Sequence, residues 1–151
     1  MNNIKLFPIG IIHSSRKTLE DDFWGEVIST IEINHPDLDE SALYGLKEFS
    51  HLQVIYYMHK VEPDKIINGA RHPRNDKSLP LVGILAQRAK NRQNQIGLSP
   101  AKILEVHGKI ITVQGLDAID GTPVLDIKPH MKEFSIHEPI RQPNWVNGNR
   151  S

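Results

Sequence analysis

Residues able to do chemistry concentrate in a few stretches of the 151-residue chain. The first, QRAKNRQNQIGLS from Gln87 to Ser99, places Arg88, Lys90 and Arg92 among amide side chains, Asn94 included, just ahead of Gly97. A guanidinium matches a carboxylate or phosphate through paired hydrogen bonds, and a glycine lets a ligand approach the backbone closely. The second, GLDAIDGTPVLDIKP from Gly115 to Pro129, sets Asp117, Asp120 and Asp126 around a Gly-Thr-Pro turn. Carboxylates there could accept from an amine, balance a cation or take a proton. Both stretches also read as ordinary connections, since amide-rich loops are solvated and Asp-Gly and Thr-Pro form turns whose Asp side chains satisfy loop amides. The carboxylate spacing does not match a calcium loop, and no metal is expected. A third stretch, Val61 to Pro80, is rich in Pro, Asn, Asp and Gly and carries Lys65, Arg71, Arg74 and Lys77. Together with Lys90 and Arg92 it would suit an RNA backbone, or serve as a solvated loop.

What is missing narrows the function further. No Gly-rich turn joins a strand to a helix and no P-loop occurs, so a nucleotide-like cofactor would need a different cradle. Without cysteine there is no disulfide, thiolate metal site or cysteine nucleophile. The 18 basic and 18 acidic residues cancel, which excludes a globally basic nucleic-acid binder but allows a local basic face. No apolar run approaches a membrane span and no secretory leader is evident, so a cytoplasmic protein is expected.

The elements that must position these residues are mostly strands. Lys5 to His13, with Pro8 and Gly10 inside it, reads as a bent or edge strand, and Glu26 to Ile33 as a second. Pro36 to Lys47 reads as a short helix weakened by Gly45. His51 to His59 (HLQVIYYMH) carries apolar residues on both faces, as in a barrel or closed sheet. Leu81 to Ala86 reads as strand, and Ile96 to Val106 as a strand broken near Ser99 and Pro100. His107-Gly108 reads as a two-residue hairpin turn into Lys109 to Gln114. Asp120-Gly121 is another turn before a last strand, Val124 to Ile127. The pattern predicts a mainly β chain: a small antiparallel β-barrel with one short helix and long functional loops, in one domain over residues 1–135. Residues 136–151 form an irregular tail with Trp145 as its apolar anchor.

Four pieces in order along the chain carry a family resemblance: PIGIIHSS, GLKEFSHLQVIYYMHK, QRAKNRQNQIGLS and GLDAIDGTPVLDIKP. They resemble the TsaA-like family of β-barrel methyltransferases that use S-adenosylmethionine. The resemblance implies a homodimer with the cofactor near the subunit interface. It implies methyl transfer to N6 of threonylcarbamoyl-adenosine at position 37 of tRNA. Carried over to this sequence, the cofactor contacts fall on His59 and Lys60, Arg88, Leu98, the run Gly115, Leu116 and Asp117, and the loop ending in Phe23 and Trp24. Substrate RNA falls to Arg71, Arg74, Lys90, Arg92 and Asn94. Methyl transfer gains much from holding donor and acceptor in line, and the departing N6 proton could go to Asp117, Asp120 or His59.

The chain departs from the family pattern at a few places. Where Arg-Pro-Asn-Pro-Ile-Gly is common, it reads Arg92-Gln93-Asn94-Gln95-Ile96-Gly97. Phe23 and Trp24 stand in a loop that usually carries Pro, Arg and Gln, and His130 follows Lys128-Pro129 where a tyrosine is usual. These changes keep two rival readings in play. One is a methyltransferase for another nucleoside or a small molecule; the other is a barrel that binds without catalysing.

Overall fold

The computed structural model describes residues 1–16 and 25–146, so Phe23 and Trp24 lie outside the described residues. Six antiparallel strands close a barrel: β1 (Gly10–Ser14), β2 (Ile28–Ile33), β3 (His51–Tyr57), β6 (Ile96–His107), β7 (Ile110–Gln114) and β8 (Pro123–Pro129). Around the barrel they run in the order β1-β2-β7-β6-β3-β8, and β8 returns to β1. Two short strands, β4 (Ala70–Arg71) and β5 (Val82–Gly83), pair as a separate sheet.

Alternation along each strand sorts lumen from exterior. On β3, Leu52, Val54 and Tyr56 point inward and are buried. Opposite them on β6 stand only small residues: Leu52 faces Ala101, Val54 faces Ser99 and Tyr56 faces Gly97. Small against large lets so narrow a barrel fill its own interior. Ile12, Ile31, Ile111, Val113 and Val124 complete this core, and Leu116 seals it from the loop after β7.

Several expectations shift in the structure. The first strand begins at Gly10 rather than Lys5; Leu6 and Phe7 are exposed, Pro8 has no N–H to give, and Ile9 makes the first bond, to Val124 O. Gly10 itself touches β2 so closely that a Cβ would sit 2.4 Å from Glu32 O. The helical stretch occurs as two 3-10 turns, Glu40–Leu43 and Leu46–Glu48, separated by Gly45 at φ 84. The Asp39 side chain caps the first by accepting from Ser41 N. Leu81 to Ala86 is strand only at Val82–Gly83; Ile84–Ala86 is a 3-10 turn, with Ile84 buried. Its N–H still donates along the strand register, to Gly69 O.

The strand at Ser99 and Pro100 is unbroken. Ile103 N donates toward Ser50 O on the β3 side, so by alternation the nitrogen of Pro100 faces the β7 side. Pairing with β7 starts only at Lys102, and the missing N–H removes no ladder bond. The bend comes later, where Leu104 is the extra residue of a bulge between Ile103 and Glu105. The hairpin turn is Gly108-Lys109, one residue beyond the expected pair, because His107 already pairs with Ile110. Gly108 has φ 60, as the first position of a type II′ turn requires.

Candidate functional site

A cavity of about 490 Å³ opens where the end of β3 meets the start of β6 and the loop preceding β8. That volume suits a ligand of nucleoside size. His59, Lys60, Arg71, Arg74, Arg88, Lys90, Arg92, Leu98 and Asp117 all line it. Barrel closure thus gathers residues from separate loops. Gly115, Leu116, Asp120 and Asn94 do not line it: Leu116 is wholly buried in the core, and Asn94 is exposed on a neighbouring turn.

Asp117 is held by its backbone. Its N–H donates to Ser99 Oγ at 3.0 Å, and its carbonyl accepts from the Tyr56 hydroxyl at 2.5 Å. Both anchors come from the lumen-facing rows of β3 and β6. Gly97 makes room for the tyrosine, because a Cβ there would lie 2.3 Å from the Tyr56 ring. Burial, reinforced by the Asp117 carboxylate, drives the Tyr56 pKa far up, so the phenol stays a donor. The Arg88 charge acts the other way, and its residue lines the same cavity. Arg88 also donates to Leu98 O at 3.1 Å. An exposed carboxylate and an exposed guanidinium therefore flank one buried phenol beside the apolar Leu98.

The other aspartate has a different position. Asp120 Oδ1 accepts from Ser14 N at 2.9 Å, and Asp120 N donates to Arg16 O. This ties the loop to the end of β1. Arg71 and Arg92 are likewise engaged inside the protein. Arg71 donates to Gln87 Oε1 and Asn91 Oδ1, while Arg92 donates to Ile84 O and Gln87 O. Gln87, itself buried, donates to Arg71 O and Val82 O. This network holds the β4–β5 sheet as one wall of the cavity.

His59 follows β3 in a turn closed by Val61 N donating to Met58 O at 3.3 Å. Its Nδ1 is buried and finds no hydrogen-bond partner among the described residues. Desolvation first, then the neighbouring Lys60 charge, lower its pKa below the ordinary 6.5. The imidazole is neutral near pH 7. On acidification through 6.5 the unfolded chain takes the proton before the folded chain does, so this residue makes stability fall as pH drops. Between about pH 7 and pH 5 the urea midpoint should decline less steeply in His59→Gln than in the parent; parallel slopes would contradict this placement of the ring.

Sequence reasoning missed Tyr56, Gly97, Ser99 and Trp145 as parts of the site. Trp145, expected only as a tail anchor, lines the cavity together with Ile119 and Thr122. The Ile-Gly pair ahead of Leu98 was a visible signal for Gly97; nothing local marks Tyr56, whose partner is far along the chain.

The fold and the cavity define a small closed β-barrel protein with a cation-rich, ligand-sized site at its strand ends. Residues 20–136 match the family model of the tRNA-methyltransferase O N-terminal domain, and the chain belongs to that family. A probable S-adenosyl-L-methionine-binding protein of Pyrococcus abyssi is 34% identical over 148 residues, covering 94% of this chain and 76% of the relative. The human tRNA (adenine(37)-N6)-methyltransferase is 35% identical over 113 residues, 69% of this chain but 23% of the human protein. A crystal structure of TrmO from Pseudomonas aeruginosa superposes with a TM-score of 0.72 at 26% identity, over 92% of this chain and 61% of that one. The chain thus spans less than two thirds of that solved chain and about a quarter of the human enzyme.

Proposed function

We propose that this protein methylates N6 of threonylcarbamoyl-adenosine at position 37 of tRNA, using S-adenosylmethionine. The observation that carries the reading is the convergence of Arg88, Leu98 and Asp117 on one cavity with a basic wall. The donor set fits the cofactor. Arg88 pairs with its carboxylate, Asp117 accepts from its amine, and Leu98 covers a ring face. The backbone of Asp117, fixed by Ser99 and Tyr56, holds that side in place. Bound there, S-adenosylmethionine supplies an electrophilic methyl group. The Pyrococcus relative is named for binding S-adenosyl-L-methionine, and the human relative for methylating N6 of adenine 37 in tRNA.

Among the three candidates for the departing N6 proton, His59 is favoured. It is neutral near pH 7 and borders the cavity, whereas Asp120 serves Ser14 and Asp117 is taken by the cofactor amine. The proton passes to Nε2, the ring nitrogen away from the enclosed Nδ1. Lys60, Arg74 and Lys90 meet tRNA phosphates, while Arg71 and Arg92 shape the wall that presents them. Asn94, on the exposed turn beside them, reaches the same RNA.

Tyr57, Ile96 and Leu98 form an exposed apolar strip on the outer face of β3 and β6, next to the cavity. This strip supports a homodimer with the cofactor near the interface. The barrel over residues 1–135 is the catalytic domain, the tail beyond it contributes Trp145 to the cavity, and the protein works in the cytoplasm beside its tRNA.

Incubation with labelled cofactor should transfer a methyl group to tRNA that carries unmethylated threonylcarbamoyl-adenosine. Cofactor binding with that tRNA left unlabelled would favour another nucleoside or small-molecule acceptor. No cofactor binding by calorimetry would remove the enzyme reading altogether. Light scattering at micromolar concentration should give twice the chain mass.

A further inference from the structure

The turn Gln93–Gln95 leads into β6, and Asn94 and Gln95 adopt φ 66 and φ 50. Two successive left-handed residues without a glycine are costly for L-amino acids, and glutamine lacks the short side chain that eases it for asparagine. A proline could not stand at Gln95, because its ring fixes φ near about −65°.

This conformation folds Gln95 back onto the neighbouring turn. Its carbonyl accepts from Met58 N at 2.7 Å. Its Nε2 donates to Met58 O and to Val61 O, each at 2.9 Å. An amide NH2 has two protons, and both are used here; the flipped amide would set its oxygen against two carbonyls. Met58 O and Val61 O are the two ends of the turn that displays His59 and Lys60 to the cavity. From within, the turn is closed by the 3.3 Å bond from Val61 N to Met58 O. Gln95 therefore braces both ends of it from outside.

We infer that Gln95 is a positioning residue that sets the His59–Lys60 turn in the cavity. It acts through His59 and touches no reacting group itself. The left-handed backbone persists because those three bonds need it. The inference rests on the reading above in which His59 takes the N6 proton; its test is chosen to be separable from that reading.

His59 is titrated by NMR in the cofactor-free parent and in Gln95→Gly, which keeps the left-handed backbone and removes the brace. The variant should stay folded, with amide shifts of β1, β2 and β7 unchanged, while the His59 pKa moves up toward 6.5 as Nδ1 meets water. A folded variant with the parent's titration overturns the inference. Should Gln95→Gly not fold, Gln95→Asn decides in its place, being tolerant of this φ but too short to reach both carbonyls; it should show the same upward shift, and an unchanged titration overturns the inference. Kinetics then separate the two claims. Gln95→Gly should lower kcat about tenfold with KM for tRNA nearly constant, and this loss should vanish in a His59→Ala background. Equal losses in both backgrounds overturn action through His59. If His59→Ala alone leaves kcat intact, the proton-acceptor reading fails while the NMR result still decides the positioning.

Discussion

Gly97→Ala should damage both the barrel and the proposed cofactor site. A methyl group at Gly97 would lie 2.3 Å from Cε2 and 2.4 Å from Cζ of Tyr56. That ring is 6% exposed and walled by the core, so it has little room to retreat. Overpacking of this kind costs roughly 1–3 kcal/mol. Any escape of the ring also pulls its hydroxyl from Asp117 O, so the loop carrying the carboxylate loses one of its two anchors. The expected result is a lower urea midpoint together with a cofactor affinity reduced about tenfold or more, which is about 1.4 kcal/mol in binding free energy. Tyr56→Phe isolates the hydroxyl: with no overpacking, it should remove about 1 kcal/mol of stability. Parental melting and parental affinity in Gly97→Ala would mean that β3 and β6 do not face each other in this register.

Asp117→Ala and Asp120→Ala should part company. Asp117 lines the cavity with an exposed side chain while its backbone is fixed independently through Ser99 and Tyr56. Removing the carboxylate should leave the fold intact and weaken cofactor binding about tenfold to a hundredfold, the range of a lost charge-assisted bond. Asp120 is the acceptor for Ser14 N at the end of β1. Its removal orphans a half-buried N–H and should lower stability by about 1–3 kcal/mol, with a smaller effect on the cofactor. Calorimetry for binding and urea melts for stability measure both. Equal losses of affinity in the two variants would remove Asp117 from the cofactor site.

Much of the architecture was legible in local spacing. A long apolar run marked β3, a hairpin turn marked β7, and the turn chemistry at Gly108 and Gly121 bounded the last strands to within a residue or two. Apolar residues on both faces of β3 were also informative: one face fills the lumen, and the other joins the exposed strip of Tyr57, Ile96 and Leu98. Where local reading went astray, a distant partner was responsible. Val82 and Gly83 form strand only because Ala70 and Arg71 are there to pair with them. Pro100 looks like a breaker until the side on which its nitrogen faces is known. Arg71 and Arg92 resemble free basic groups in the sequence, yet they are engaged with Gln87, Asn91 and backbone carbonyls.

The sequence alone determined the main barrel strands, the barrel class and, through motif order, the family. Those features reside in neighbouring residues and need no knowledge of what lies across the sheet. Tertiary structure alone decided which aspartate faces the cavity, why position 97 must be glycine and what Gln95 holds. Each of these depends on register and closure, which bring together residues far apart in sequence, and a strand's own period of two is the same whichever partner it meets.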